Sequence, residues 1–360
     1  MKTLFFQRRR ELQARLAEKH LSGVLSMNPA SWYYLTGFTG DAGALLLSAN
    51  RSFLVTDGRF TSQAREETSG LRAVKQEESL MATIGSLLRG RSQTRIGFDA
   101  MQLTVAQFRA LRRAAGSRVR WIRADGEVEK VRQRKDPAEI AQMRKAALLG
   151  GEVLSGALKL LKPGVREIDV AAEIEYQMRR RGASGPAFES IVAFGARSAY
   201  PHARPTEKRL GKNELVVLDL GVILGHYCSD ITRTVFVGRA PARIRRWYRA
   251  VQEAQAAAIA AAQGGTSCGD VDAAARGVLT RYRLDHYFVH STGHGLGLEV
   301  HEDPRVARGQ KHVLVPGNVI TIEPGVYVPG VGGIRIEDDV AVHADRTEVL
   351  TRVPRDLIEI

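Results

Sequence analysis

Short blocks of apolar residues, separated by polar turns, run through the first third of the chain. The apolar run at residues 44–47 is closely followed by another at 52–56, which is typical of a β-hairpin. Two further short segments, at residues 95–98 and 119–122, alternate with stretches of helical periodicity such as residues 10–21. Strands that alternate with helices in this way predict a small mixed sheet with covering helices.

Beyond residue 130 the predicted helices become longer and their ends are clearly marked. Three long helices are predicted, at residues 137–161, 167–181 and 243–263. The first begins at a capping-box pattern in residues 136–139, and the second ends at Gly182, a residue suited to the left-handed conformation that closes helices. The change in pattern predicts one domain over residues 1–130 and a second over residues 131–360.

The composition places the chain among globular proteins. Of its 360 residues 44% are hydrophobic and 26% are charged, which excludes wholesale disorder and collagen-like structure. No apolar run approaches the roughly 18 residues that a membrane helix needs, and the N-terminus lacks the apolar core of a signal peptide. The two cysteines, Cys228 and Cys268, can form at most one disulfide. We therefore expect a cytoplasmic protein with no membrane partner.

The net charge of +14, from 53 Lys and Arg against 39 Asp and Glu, raises the question of nucleic-acid binding. The adjacent basic residues occur in short groups in different segments, at residues 8–10, 112–113, 179–181 and 245–246. No basic run is interleaved with aromatic residues, as in a platform for single strands. We therefore expect a solvated basic surface and not a protein whose main partner is nucleic acid.

One predicted hairpin of the second domain carries an acid on each strand. Asp219 lies in the first strand and Asp230 at the start of the second. We predict a turn centred near residues 224–225, which would place the two acids directly opposite each other. Cross-strand partners on one face have Cβ atoms about 4.5–5.5 Å apart.

A second hairpin repeats this arrangement, because Glu323 pairs with Glu337 if the turn is centred on Gly330. Ionised carboxylates among apolar neighbours must be paired or coordinated. Two divalent cations, about 3.5–4 Å apart, would neutralise four acids and could share carboxylates. The alternative is that the acids cap turns or pair with Arg233 and Arg335 on the solvent face.

Three of the nine histidines lie in the glycine-rich segment 290–302. His294 stands between Gly293 and Gly295, which let the backbone approach a site closely. Such an imidazole is a natural metal ligand, and the alternative is a core histidine bonded to the backbone. The pair His301–Glu302 does not form a zinc-protease helix, because no second histidine follows four residues later. The glycines are not a dinucleotide fingerprint either, because no G-x-G-x-x-G follows a strand.

The set Asp219, Asp230, His294, Glu323 and Glu337, in this order, resembles the metal ligands of the pita-bread metallopeptidases. The nearer match is the Xaa-Pro branch, which comprises aminopeptidase P and prolidase. The matching segments are residues 218–221, 229–234, 292–297, 321–325 and 334–338. The resemblance is specific from residue 130 onward, and looser over the N-terminal domain, which is similar to the creatinase-type module. Creatinase itself shares the fold but lacks the metal set, which disfavours a creatine hydrolase.

The resemblance implies an α+β fold in which a small mixed α/β N-terminal domain precedes a pita-bread domain, a curved antiparallel sheet covered by helices. It implies two divalent metal ions per chain and hydrolysis of Xaa-Pro bonds in short proline-containing peptides. Asp219 would chelate one metal, Asp230 and Glu337 would bridge the two, and His294 and Glu323 would hold the other. Carboxylate-rich ligation with one imidazole suits Mn(II), with Co(II) or Zn(II) as alternatives.

The resemblance also implies roles for side chains around the metals. Glu323 is the expected proton acceptor, which later returns the proton to the leaving proline nitrogen. His301 is expected to hydrogen-bond the scissile carbonyl, and His202 and His290 to line the proline side of the pocket.

The spacing within the second hairpin adds two residues to this set. Arg335 lies two residues before Glu337, on the same face, and is expected to orient the ligand carboxylates. Tyr327 lies four residues after Glu323 and is expected to bind a ligand or the substrate. Cys228 is interpreted as a small buried residue beside the site.

Several hypotheses of function remain open at this level. A dipeptidase is marginally preferred over an aminopeptidase P because the chain is short. A dipeptidase must recognise both substrate termini, and we expect the N-terminal domain to form a homodimer and to supply Asp41 and Arg51 for this purpose, a surface ion pair being the alternative. A second hypothesis is a catalytically silent pita-bread protein that binds RNA or ribosomes, and a third is a methionine aminopeptidase, which usually lacks the separate N-terminal module.

Overall fold

The computed structural model describes residues 2–49, 51–89 and 94–360. Its backbone contacts divide the chain into two compact units, Met1–Arg132 and Gln133–Ile360. Both units combine helices with sheets, so the predicted α+β class is confirmed. Among the described residues, no helix combines the length and the hydrophobicity that crossing a bilayer requires.

The first unit is built on a mixed sheet. Its described strands are β1 (Gly23–Ser26), β2 (Ala44–Ser48), β3 (Phe53–Thr56), β4 (Arg72–Lys75), β5 (Thr94–Phe98) and β6 (Val119–Arg123). Its described helices are α1 (Lys2–Glu18), α2 (Pro29–Thr36), α3 (Thr61–Glu67), α4 (Leu80–Leu88), α5 (Val105–Ala115) and α6 (Glu127–Arg132). The strand order is β4-β3-β2-β1-β5-β6, in which β2 is antiparallel to β1 and β3 and the remaining pairs are parallel.

The predicted hairpin of the first unit is present as β2 and β3, with Ala44 opposite Val55. Residues 44–47 are fully buried, as expected of a strand that is covered on both faces. The helix predicted at residues 10–21 instead begins at Lys2 and ends at Glu18. Hydrophobic periodicity did not reveal this start, because two of the buried residues in this part of the helix are the charged Arg8 and Arg9. Their guanidinium groups donate hydrogen bonds to backbone carbonyls 26 residues away.

The second unit has more and shorter strands. Its described helices are α7 (Pro137–Leu158), α8 (Glu167–Arg180), α9 (Ala242–Ala261) and α10 (Cys268–Arg281), with 3-10 turns at Gly195–Ala199 and Asp285–Tyr287. Its strands are β7 (Gly185–Pro186), β8 (Ile191–Phe194), β9 (Glu214–Leu220), β10 (Val222–Leu224), β11 (Tyr227–Cys228), β12 (Ile231–Val237), β13 (Gly293–Gly295), β14 (Glu302–Val306), β15 (Val319–Ile322), β16 (Gly325–Val328), β17 (Gly332–Arg335), β18 (Asp338–Val342), β19 (Thr347–Val349) and β20 (Ile358–Glu359).

These strands form four small sheets, with orders β11-β10-β7, β20-β12-β9-β8, β14-β13-β15-β18-β19 and β16-β17. The pairs are antiparallel as predicted, apart from β20, which runs parallel to β12.

The predicted helix ends of the second unit are largely present. The Asp136 carboxylate accepts from the amides of Ala138 and Glu139, and the Glu139 side chain accepts from the Asp136 amide, so the capping box is confirmed. Helix α7 ends at Leu158, three residues before the predicted end. Helix α8 closes near Gly182, which has a φ of +97°.

Two helix pairs cover the strands of the second unit and decide which strand face is polar. Helices α7 and α8 share a core with β8, β9 and β12, while α9 and α10 share one with β14 to β18. Leu218 and Leu220 point into the first core, and Ile322 and Ile336 into the second. Because strand side chains alternate between faces, the acids next to these residues point away from the helices.

Candidate metal centre

The first acid-bearing hairpin has a register that differs from the prediction. Strand β12 pairs with β9 so that Asp219 lies opposite Thr232 and not opposite Asp230. The reason is the turn, which is centred on Gly225 and His226, one residue later than predicted. Both turn residues have positive φ, +55° and +73°, which is typical of a two-residue type I′ turn. A shift of the turn by one residue moves every cross-strand partner by two, so the two acids stay on one face and become diagonal neighbours.

The second hairpin has the predicted register. Gly325 pairs with Arg335 in β16 and β17, and Ile322 pairs with Asp338 in β15 and β18. These two pairs belong to one continuous register. Glu323 and Glu337, which lie between the two pairs, are therefore opposite each other.

The two hairpins and the glycine-rich segment bring the five predicted ligands together. Side-chain donor atoms of Asp230, His294 and Glu337 all lie within 4.8 Å of one another. His294 Nε2 is 3.8 Å from Asp230 Oδ2 and 3.6 Å from Glu323 Oε1. Asp219 completes the group: burial is the main cause of the raised pKa values of Asp230, Glu323 and Glu337, and the charge of Asp219 raises all three further.

Backbone contacts hold the His294 imidazole in one orientation. A Cβ on Gly293 would lie 1.8 Å from the Thr321 carbonyl oxygen, so only glycine allows this approach of β13 to β15. His294 Nδ1 lies 3.0 Å from the Gly295 carbonyl, to which it donates, and this leaves the lone pair on Nε2 facing the acids. Burial lowers the pKa of His294 to about 4, so the ring is neutral and able to coordinate a cation near neutral pH.

The acids of the centre are costly to ionise without a counter-charge. Burial, followed by repulsion from neighbouring carboxylates, raises the pKa values of Asp230 and Glu337 well above the usual range. Burial also raises the pKa of Glu323 to about 7, although the Arg335 guanidinium acts in the opposite direction.

Two carboxylate oxygens provide a direct test of whether the residues fit divalent cations. Asp219 Oδ1 and Asp230 Oδ1 are buried and receive no hydrogen bond from the described part of the chain. Buried acceptors are otherwise almost always satisfied. Four carboxylates and one neutral imidazole are also the donor set that hard or borderline divalent ions prefer. The side chains at the centre therefore fit a pair of such ions.

The raised pKa values predict how pH affects the metal-free protein. A carboxyl group with a raised pKa in the folded state keeps its proton after the unfolded chain has lost it, so its stabilising contribution disappears as the pH rises. For Glu323 the window runs from about pH 4 to above pH 7, and its contribution is on the order of 3 kcal/mol. We expect the melting temperature of metal-stripped protein to fall by several degrees between pH 5 and pH 8 in calorimetry. Protein loaded with metal should change much less, and equal pH profiles would contradict the prediction.

Arg335 connects both hairpins at the centre, as its spacing suggested. Its Nη2 donates to Asp219 Oδ2 at 2.5 Å, and its Nε donates to Thr232 Oγ1 at 3.1 Å. The Thr232 hydroxyl in turn donates to Glu337 Oε2 at 2.6 Å. Arg335 thus orients the Asp219 carboxylate directly and the Glu337 carboxylate through Thr232.

Tyr327 and His290 extend this hydrogen-bonded network. The Tyr327 hydroxyl accepts from Arg335 Nη1 at 2.7 Å and lies 2.8 Å from His290 Nε2. His290 Nδ1 lies 2.8 Å from the Ser291 carbonyl, to which it donates, so Nε2 accepts the Tyr327 hydroxyl proton. Burial lowers the pKa of His290 to about 3, which keeps the ring neutral.

His301 and His202 are more exposed members of the same group. The His301 ring packs edge-on against that of His294, with centroids 4.5 Å apart. Desolvation, and then the charge of His202, lower the pKa of His301, and the charge of His202 also lowers that of His290. The three histidines therefore lie within electrostatic range of one another, beside the ligand cluster.

Asp41 and Arg51 lie at the two ends of β2 in the first unit, Asp41 before the strand and Arg51 after it, and both are exposed. A basic group near Asp41 is Arg59, whose pKa is raised chiefly by its hydrogen bond to Asp57 and further by the charge of Asp41. The role expected for Asp41 and Arg51 in binding the substrate ends stays a prediction.

Some residues at the centre were missed at the sequence level. Thr232 and Thr321 support ligands, since Thr321 Oγ1 accepts from the His294 amide and its hydroxyl bonds Glu323. Asp339 Oδ2 accepts from the Asp230 amide at 3.1 Å. Thr232 lies in β12 two residues after Asp230, which directly precedes the strand, so this spacing was a signal that could have revealed Thr232. Cys228 is buried, as interpreted.

Comparisons with known proteins agree with this geometry. A model of metallopeptidase family M24 matches residues 141–344, and a model of the creatinase/prolidase N-terminal domain matches residues 8–134. The chain is 35% identical to an Xaa-Pro dipeptidase of Pyrococcus furiosus over 354 residues, which are 98% of this chain and 99% of the relative.

Two solved structures extend the comparison to the fold. An Xaa-Pro dipeptidase from Bacillus anthracis has a TM-score of 0.94 at 35% identity and covers 99% of this chain and 100% of its own. An X-Pro aminopeptidase from Thermotoga maritima has a TM-score of 0.87 at 32% identity and covers 96% of this chain and 99% of its own.

Proposed function

Because the chain belongs to metallopeptidase family M24 and carries a creatinase/prolidase N-terminal domain, we propose that it is an Xaa-Pro dipeptidase that uses two divalent metal ions. The observation that carries the proposal is the cluster of four carboxylates and His294, three of whose carboxylates are buried and two of whose carboxylate oxygens lack a hydrogen-bond donor from the described residues. Full-length similarity to proteins named Xaa-Pro dipeptidase supports the substrate class.

In this proposal the five ligands divide between the two ions. Asp219 would hold one ion, Asp230 and Glu337 would serve both, and His294 and Glu323 would hold the other. We propose Mn(II) as the ion, with Co(II) and Zn(II) as alternatives, because oxygen donors outnumber the single imidazole. When bound, such ions lower the pKa of water and polarise the scissile carbonyl.

The remaining chemistry is assigned to side chains. Glu323 takes a proton from the attacking water and delivers it to the prolyl nitrogen as the peptide bond breaks, so the proton is conserved. This delivery matters because the leaving group is a secondary amine. His301 donates a hydrogen bond to the carbonyl oxygen as charge develops there. His202 and His290 line the proline side, where Tyr327 supports His290.

The test is an assay of metal-stripped protein to which Mn(II), Co(II) or Zn(II) is returned. Gly-Pro, Ala-Pro and a longer Xaa-Pro-Xaa peptide serve as substrates, and free proline or the shortened peptide is measured. Metal-dependent release of proline from the dipeptides is expected, and its absence would contradict the proposal. Cleavage of only the longer peptide would favour the aminopeptidase, an activity named in the Thermotoga maritima relative.

We also propose that the protein acts in the cytoplasm as a homodimer on short proline-containing peptides. Cys228 and Cys268 are buried and are not joined in a disulfide, which supports a reducing compartment. A dipeptidase needs groups that recognise the substrate ends, and an N-terminal module whose described residues hold no cluster of metal ligands suits that purpose. Asp41 and Arg51, which are both exposed, are the candidates, with Asp41 for the substrate ammonium and Arg51 for the carboxylate.

A pair of variants tests these candidates. Arg51→Ala should raise KM for Gly-Pro about tenfold, which corresponds to about 1.4 kcal/mol, because the substrate carboxylate loses the paired donors of the guanidinium. Asp41→Asn should raise the same KM, because the substrate ammonium loses its counter-charge. Cleavage of a longer Xaa-Pro-Xaa peptide is the control for Arg51→Ala and should change little, because that peptide places no carboxylate at the same distance. Steady-state kinetics on the Mn-loaded enzyme give these values, and an unchanged KM for Gly-Pro in Arg51→Ala would contradict the role of Arg51.

A further inference from the structure

An ion pair on helix α10 lies just behind the segment that carries His290. Asp272 and Arg276 are one helical turn apart, and Arg276 Nε donates to Asp272 Oδ2 at 2.7 Å. The Asp272 side chain is 1% exposed and that of Arg276 17%. The second Asp272 oxygen, Oδ1, accepts from the Thr292 hydroxyl at 2.8 Å.

The two terminal nitrogens of the Arg276 guanidinium donate hydrogen bonds to the segment that carries His290. Its Nη1 donates to the Phe288 carbonyl at 3.1 Å, and its Nη2 donates to the His290 carbonyl at 2.6 Å. Its guanidinium carbon also lies 4.2 Å from the centre of the Phe288 ring. Residues 288–292 lie between a 3-10 turn and β13 and belong to neither. The pair of Asp272 and Arg276 therefore contacts this irregular segment at three points, at residues 288, 290 and 292.

This segment determines where the His290 ring stands. The ring lies 2.8 Å from the Tyr327 hydroxyl, and Tyr327 is held by Arg335. Two residues on, the Thr292 carbonyl accepts from the Glu323 amide at 2.7 Å. A displacement of the segment would therefore move His290 relative to Tyr327 without removing any ligand side chain.

We propose that Arg276, oriented by Asp272, is a positioning residue that sets the place of His290 in the substrate pocket. This inference rests on the proposed function, in which His290 lines the proline side of the substrate pocket. The planar guanidinium is required because it donates in three directions at once, which the single ammonium of lysine cannot do in the same geometry. The competing explanation is that the pair only stabilises the fold.

A double-mutant cycle separates the two explanations. In Mn-loaded enzyme, Arg276→Lys should lower kcat/KM for Gly-Pro about tenfold to a hundredfold, chiefly through KM, because small displacements of positioned groups have effects of this size. In the His290→Ala background the same change should have an effect of about twofold or less, because its target is gone. Arg281→Lys, an exposed position at the end of the same helix, is the control and should change neither value. Equal losses in both backgrounds would overturn the proposal.

A second variant and a readout that needs no activity complete the test. Thr292→Val keeps the side-chain shape and removes only the hydroxyl that donates to Asp272. If Arg276→Lys does not fold, Thr292→Val replaces it in the double-mutant cycle with His290→Ala. In metal-free protein with ¹⁵N-labelled histidines, the ring signals that disappear in His290→Ala should shift in Arg276→Lys and stay unchanged in Arg281→Lys. An unshifted His290 signal would overturn the proposal. If the wild type hydrolyses no Xaa-Pro peptide, the proposed function fails, and the ring signals still decide the role of Arg276.

Discussion

Asp230→Asn should reduce hydrolysis of Xaa-Pro peptides by about 10³ or more and leave less than one firmly held metal ion per chain. Asp230 lies at the middle of the cluster, and its Oδ1 atom lacks a hydrogen-bond donor from the described residues. The carboxamide has the same shape but no charge, so a ligand that serves both ions is lost. Metal ions contribute several kcal/mol to such reactions, and each 1.4 kcal/mol is a factor of ten. Elemental analysis after dialysis and an assay of proline release measure the two effects.

The variant should fold normally. Its backbone amide still donates to Asp339, and removal of one of several crowded like charges lowers the repulsion in the metal-free state. The melting temperature of the metal-free variant should therefore equal or exceed that of the metal-free wild type. Asp345→Asn, at an acid whose side chain is 74% exposed, is the control and should retain full metal content. Two tightly held ions and normal turnover in Asp230→Asn would show that Asp230 is not a ligand.

His301→Ala should lower kcat by about 10² to 10³ and leave the metal content unchanged. We assign His301 to a hydrogen bond that strengthens as charge develops on the carbonyl oxygen, and the loss of one such donor typically has an effect of this size. Its lowered pKa keeps the ring neutral near pH 7, so it donates through an N–H group. Kinetics with Gly-Pro, together with metal analysis of the same preparation, measure the two quantities.

Metal analysis is essential because the His301 ring packs against His294. If metal and activity are lost together, His301 supports or supplies a ligand and our assignment is wrong. His312→Ala, at an exposed histidine outside the centre, is the control and should change neither quantity. A His301→Gln variant, which keeps an N–H donor, should recover part of kcat.

The sheet architecture and the chemical identity of the cluster could be predicted because both leave local patterns. Alternation along β9 and β12 indicates one apolar face and one polar face, and Asp219 and Asp230 stand out on the polar face. Gly293 and Gly295 are also a local signal, because glycines on both sides of His294 indicate a close approach of the backbone to a site. The register of the first hairpin was not accessible, because it depends on His226 adopting a positive φ, which non-glycine residues seldom do.

The sequence by itself therefore determined which residues could hold metal, through short-range pattern and side-chain chemistry, and its motifs indicated the α+β class and the metallopeptidase family through their resemblance to known members. Only the tertiary structure decided what holds the other side chains in place. Arg335 meets Asp219 across 116 positions of the chain, and Arg276 reaches the His290 carbonyl from helix α10, which the sequence pattern did not predict. Hydrogen bonds between distant segments follow from how the elements pack, and packing leaves no repeat in the sequence from which such partners could be predicted.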